Sequence, residues 1–228
     1  MRLLRIANLV VFTAMAGFSL SLVVVNFGQS SVRNLASDLF YRRNVSALQV
    51  HQGARATGIE TAVRTCRSDL LNEALSVTLA DLNQTNQVAD YNTWADTHAR
   101  SQVFLRGMIR CLPMNANAWL REAMVSRAIA EDADSLRARL QLARQLAPFE
   151  RQMILGRLSI WQRLSPLALD ANRGLAEADI LSVLRYGRDP MIKALAAPSS
   201  VAFGDMVAAQ LPSLDADRRA VITPLLGP

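Results

Sequence analysis

The chain has 228 residues, enough for one domain with a substantial core and an appendage. Its net charge is +6, and of its 25 basic residues only Lys193 is not an arginine. The arginines are scattered among acids, with no basic run interleaved with aromatics, so nothing points to nucleic acid, whereas an anionic lipid or acidic polymer surface is compatible.

No charged residue occurs from Ile6 to Val32, and the strongly apolar part, Ile6 to Phe27, has 22 residues. At about 1.5 Å per residue this spans a hydrocarbon core of roughly 30 Å, which predicts a single transmembrane helix within residues 1–28. A cleaved signal peptide is the alternative. Arg2 and Arg5 suit its charged start, and Ala14-Met15-Ala16 looks like a small-residue cleavage site. Cutting there leaves a very short apolar region before the site and a long one after it, the reverse of what signal peptides show. Positive charge on the short N-terminal tail slightly exceeds that on the other flank before Arg42-Arg43, which puts the N-terminus inside. The expectation is a single-pass protein of a bacterial inner membrane with its C-terminal part in the periplasm. Thr13, Gly17 and Ser21 recur every four residues and form a small-residue face suited to packing against another membrane helix.

Everything after Gln29 reads as helix, because alternating apolar runs and hairpin dipeptides are absent. Ser30-Ser31 starts a juxtamembrane helix in residues 29–57. A helix from Ile59 to Leu82 places Ala62, Cys66, Leu70 and Ala74 on one face. A polar connection, Asn83 to Asp90, leads to a helix from Tyr91 to Leu112. Pro113 ends it, and Asn115 or Asn117 caps the next. Asp132 and Asp134 mark a further turn and cap, and the following helix carries Leu136, Leu140, Ala143 and Ala147. Helices Phe149–Leu164 and Asp170–Tyr186 follow. From Pro190 onward, prolines divide residues 191–228 into a short-helix cap or docking tail.

Leu112-Pro113 and Ala147-Pro148 lie 35 residues apart, close to the period of a helical-hairpin solenoid. The stretch Asn117 to Pro148 resembles a tetratricopeptide repeat. Ala118-Trp119 matches the opening of its first helix, Leu140 its large apolar position, and Ala143 the alanine five residues before the closing Pro148. Glu122 departs from the expected leucine and Ser126 from the expected tyrosine. The resemblance implies an all-α fold, a hairpin stack over residues 58–190, and a concave protein-binding face to which Arg121, Arg127, Arg137 and Arg144 are candidate contributors.

Chemistry is hard to find. His51 and His98 belong to no zinc motif, the glycines are single, and no nucleophile elbow occurs. The acid pairs Glu131/Asp132 and Glu177/Asp179 read as capping or solvated groups. No catalytic residue, cofactor or metal is expected. Cys66 and Cys111 form either a disulfide or two buried apolar thiols. The functional expectation is a membrane-anchored, non-enzymatic interaction or assembly factor that meets other envelope proteins, by analogy in surface polysaccharide synthesis or export. The alternative is an accessory subunit that contacts a multi-helix membrane complex through its anchor.

Overall fold

The computed structural model describes residues 2–196 and 200–226, with side chains described at 11–20 and throughout from 30. Every regular element among them is helical, so the fold is all-α. The chain divides into two compact units, Met1–Cys111 and Leu112–Pro228. The division falls at the end of the helix before Pro113.

In the first unit, α1 (Arg2–Phe40) is one continuous helix of 39 residues, about 58 Å long. Ser30-Ser31 does not start a new helix. Helix α1 stops at Arg42, whose φ of 52° is left-handed. Among the described residues no helix is long and apolar enough to cross a membrane. The expected span covers side chains 6–10 and 21–27, which lie outside those described. Within it, residues 11–20 are all exposed, so the apolar surface there runs around the whole helix, with Phe12 75% and Phe18 66% exposed.

The C-terminal part of α1 behaves differently. Val32 and Ala36, one turn apart, are buried where α1 meets α4 (Ser68–Gln84). Arg33 bridges to two acids one turn apart on α4, Asp69 at 2.7 Å and Glu73 at 3.2 Å. Arg67 also grips Asp69 and, with Arg33 assisting, holds its carboxyl down at about 2. Helix α4 is central because it has apolar residues on several sides. Leu70, Leu71, Ala74, Leu75 and Val77 are all buried, and it packs on α1, α2 (Ala47–Ala54), α3 (Thr57–Thr65) and α5 (Tyr91–Cys111). The predicted helix from Ile59 to Leu82 is thus two helices. Its break is Cys66, left-handed at φ 50°, which closes α3 and lets α4 turn back on it.

The second unit is a succession of short helices around one core. Asn115 caps α6 (Ala116–Ile129) by accepting from the Ala118 amide, and Asp132 caps α7 (Ala133–Leu146) through the Asp134 and Ser135 amides. These two helices form a tight hairpin. Helix α8 (Arg151–Trp161) packs on both, and α10 (Arg173–Tyr186), preceded by the short α9 (Pro166–Ala171), packs on α7 and α8. The C-terminal part holds three short helices, α11 (Asp189–Leu195), α12 (Val201–Gln210) and α13 (Ala216–Leu226). Ile192, Leu195, Phe203, Met206, Leu214 and Ile222 join the same buried cluster as Leu120, Leu140 and Trp161. Pro166 and Pro190 lie in first helical turns, where a missing amide proton costs nothing, and Pro224 lies inside α13. Pro198 and Pro228 lie outside the described residues.

Candidate functional site

Cys66 and Cys111 are joined as a disulfide, with Cα atoms 5.1 Å apart across 45 residues. Cys66 is exposed at the end of α3 instead of lying on a buried face, and the bond ties the C-terminal ends of α3 and α5 together. Thr13 and Gly17 lie on the exposed part of α1, with open space where a Gly17 side chain would be. The side chain of Ser21 lies outside the described residues.

The repeat-like positions form the α6–α7 hairpin. Ala118, Leu140 and Ala143 are buried, whereas Trp119 and Pro148 are partly covered. The Trp119 indole N–H donates to the Pro113 carbonyl at 2.8 Å, which anchors the ring at the start of the unit. The two departures from the repeat pattern meet each other. Ser126 donates to the buried Glu122 carboxylate at 3.1 Å, and Glu122 pairs with Arg139 of α7. A polar contact therefore stands between the two helices where the repeat has apolar ones.

The four arginines expected on a binding face are committed within the chain. Arg121 bonds Asn117, and Arg127 bonds Glu131 and the Arg163 carbonyl. Arg137 donates to the Ala171 carbonyl, and Arg144 pairs with Asp179 at 3.4 Å. Arg127, Arg137 and Arg144 tie their helices to other segments, whereas the Arg121 bond lies within α6. The acid pairs are similarly occupied. Glu131 accepts from the Ser165 amide, Asp132 caps α7, Glu177 faces Arg173, and Asp179 is buried against Arg157.

His98 is buried and stacks on Trp94 with centroids 4.3 Å apart, its Nδ1–H donating to the Trp94 carbonyl. Burial holds its imidazole below the ordinary value, with the hydrogen bond opposing that shift. The neutral form is favoured on folding, so below about pH 6.5 the unfolded chain takes up a proton that the folded imidazole resists. The first unit is expected to lose stability as the pH falls from 7.5 to 5.5, measured as a falling denaturant midpoint. His98→Phe should flatten that slope, and equal slopes in the two proteins would remove His98 as its source.

The feature that sequence reading missed is a groove of about 740 Å³ in the first unit, between α3 and α5 and the end of α2. Helices α3 and α5 run parallel along it. Arg55, just before α3, meets Asp96 on α5 at one end, and the Cys66–Cys111 bond closes the other. Between them Val63 packs against Gly107 so closely that a Cβ on Gly107 would lie 2.6 Å from a Val63 methyl. Ala56, Ile59, Val63, Val103 and Phe104 line the middle. Thr78, Asp81, Thr97 and Ser101 form a polar end, where the buried Asp81 carboxylate is held by His51 at 2.9 Å. A single sequence offers little signal for such a site. Its lining comes from the seams of three helices, and each contributes residues that read as ordinary core or surface.

No group of three or more potential metal ligands occurs among the described residues. No family model matches the chain, and no curated protein or solved structure is similar to it.

Proposed function

We propose that this chain is a membrane-anchored, non-enzymatic interaction protein of a bacterial envelope, with the bulk of the chain outside the cytoplasm. The observation that carries the reading is the character of α1. Its first part is uncharged from Ile6 onward and exposed on every side over residues 11–20, as a helix in contact with lipid should be. Its last part packs into the first unit through Val32 and Ala36, so anchor and domain share one helix and the domain is held at a fixed distance from the bilayer. The Cys66–Cys111 bond supports an oxidising compartment. The α6–α10 helices are consistent with a tetratricopeptide-like stack that docks a partner protein.

A C-terminal alkaline phosphatase fusion tests the placement. It is expected to be active in whole cells, and the chain is expected to stay in the membrane pellet after alkaline carbonate extraction. An inactive fusion alongside a fluorescent C-terminal GFP fusion places the domain in the cytoplasm and ends the reading. Capture with a C-terminal tag from detergent-solubilised membranes should bring down envelope proteins, with components of surface polysaccharide synthesis or export as the first to look for.

A second reading, an accessory subunit held by its anchor, draws on the open space beside Gly17 on the face shared with Thr13. Gly17→Leu separates the two, because loss of the captured partners with unchanged membrane retention assigns recognition to the anchor.

A further inference from the structure

The geometry points to the α3–α5 groove of the first unit as a binding site for a single-chain anionic lipid, with its alkyl chain along the apolar middle and its charged head at the disulfide end. The inference rests on the groove alone and goes beyond the anchored-adaptor reading.

Size comes first. A volume of about 740 Å³ falls within the roughly 300–1,000 Å³ of pockets that take one small molecule. The lining residues on α5 run from Thr97 to Arg110, about 20 Å at the helical rise, and the stretch from Val103 to Arg110, clear of the polar end, is about 10 Å of it, so the site is elongated and its apolar part suits a segment of a chain better than a compact ring.

The second argument is the distribution of polarity. The walls along the middle are Ile59, Val63, Val103 and Phe104, which offer a chain no hydrogen bonds. Val103 is 69% exposed, so apolar surface stands open to solvent beside the groove. Burial of that surface favours an occupant that is itself apolar along most of its length.

Charge then orients the occupant. At the Asp96 end the ions are balanced internally. Arg55 and Arg100 share Asp96, and Asp81 is held by His51. At the disulfide end, Arg64 meets Glu60 in an exposed pair at 3.1 Å, and no carboxylate pairs with the exposed Arg110 among the described residues. The surplus positive charge of the lining is therefore at Arg110, beside the apolar wall, where a carboxylate or phosphate head complements it.

The test uses the full-length chain in nanodiscs of phosphatidylcholine with a diazirine-bearing palmitate as the probe. After illumination, cross-linked peptides are mapped by mass spectrometry. Saturable labelling of residues 54–65 and 97–110 is expected, competed by palmitate or by lysophosphatidylglycerol but not by hexadecanol. Which of the two anions competes better identifies the head group. Val103→Trp fills the groove from an exposed position, and Arg110→Glu reverses the charge of another, so neither should disturb the fold. Each should weaken labelling of the groove by about tenfold or more, the effect of losing one well-placed contact. Labelling confined to α1 means simple partition into the bilayer and overturns the proposal. So does equal competition by hexadecanol, or labelling of the groove that neither substitution changes.

Discussion

Replacing both Cys66 and Cys111 by alanine is expected to lower the stability of the first unit by about 4 kcal/mol, the loop-closure entropy for a cross-link spanning 45 residues. The bond joins the ends of two parallel helices, so its loss frees α3 from α5 where the groove closes. Denaturant unfolding of the full-length chain in mild detergent, with and without reductant, measures the effect. The wild-type midpoint should fall on reduction, and the double variant should match the reduced protein. Because Cys66 is exposed, reductant should reach the bond in the folded state. Two thiols that react with maleimide before any reduction, or a double variant as stable as the oxidised protein, would show that the two sulfurs pack as separate groups.

Asp179→Ala is expected to destabilise the second unit by about 3–5 kcal/mol, because it strands a buried guanidinium. Arg157 is fully buried and donates to Asp179 from Nε and Nη2 at 2.9 and 3.0 Å. The Trp161 indole N–H donates to the same carboxylate at 3.0 Å, and Arg144 approaches it at 3.4 Å. Arg157 also donates to the Ala147 carbonyl at the end of α7, so one cluster ties α7, α8 and α10 together. Removing both charges with Arg157→Met and Asp179→Leu should recover part of the loss. Recovery stays incomplete by about 1–3 kcal/mol, since the Trp161 N–H loses its acceptor. A double variant no more stable than Asp179→Ala would place the energy in packing and not in the ion pair. Thermal and denaturant unfolding of the three proteins reads the difference directly.

Much of the second unit was legible from residues close together in the chain. Of the candidate caps, Asn115 rather than Asn117 caps α6 and Asp132 caps α7, and Leu136, Leu140 and Ala143 face inward at the predicted spacing. Caps and amphipathic spacing act within a turn or two, so one stretch of sequence contains all the atoms involved. The break at Cys66 was not legible, because its neighbours on both sides keep a helical pattern. A left-handed residue there becomes favourable only when α4 folds back and Cys66 meets Cys111. Continuity through Ser30-Ser31 was missed for the opposite reason. Serine can cap a helix, but here the buried face at Val32 and Ala36 continues the same helix onto α4.

The sequence by itself determined the all-helical fold, the long uncharged segment at its start, and the poverty of catalytic motifs. Those properties follow from residue type and local period. Tertiary structure alone decided where the chain divides, which residues of the last helices enter the buried cluster, and that the arginines expected on a binding face bind the chain itself. It alone made the groove, whose lining comes from residues far apart in sequence. The physical reason is range. Helix formation is a contest among near neighbours, whereas the partner of a charge and the wall of a cavity are chosen by packing across the whole unit.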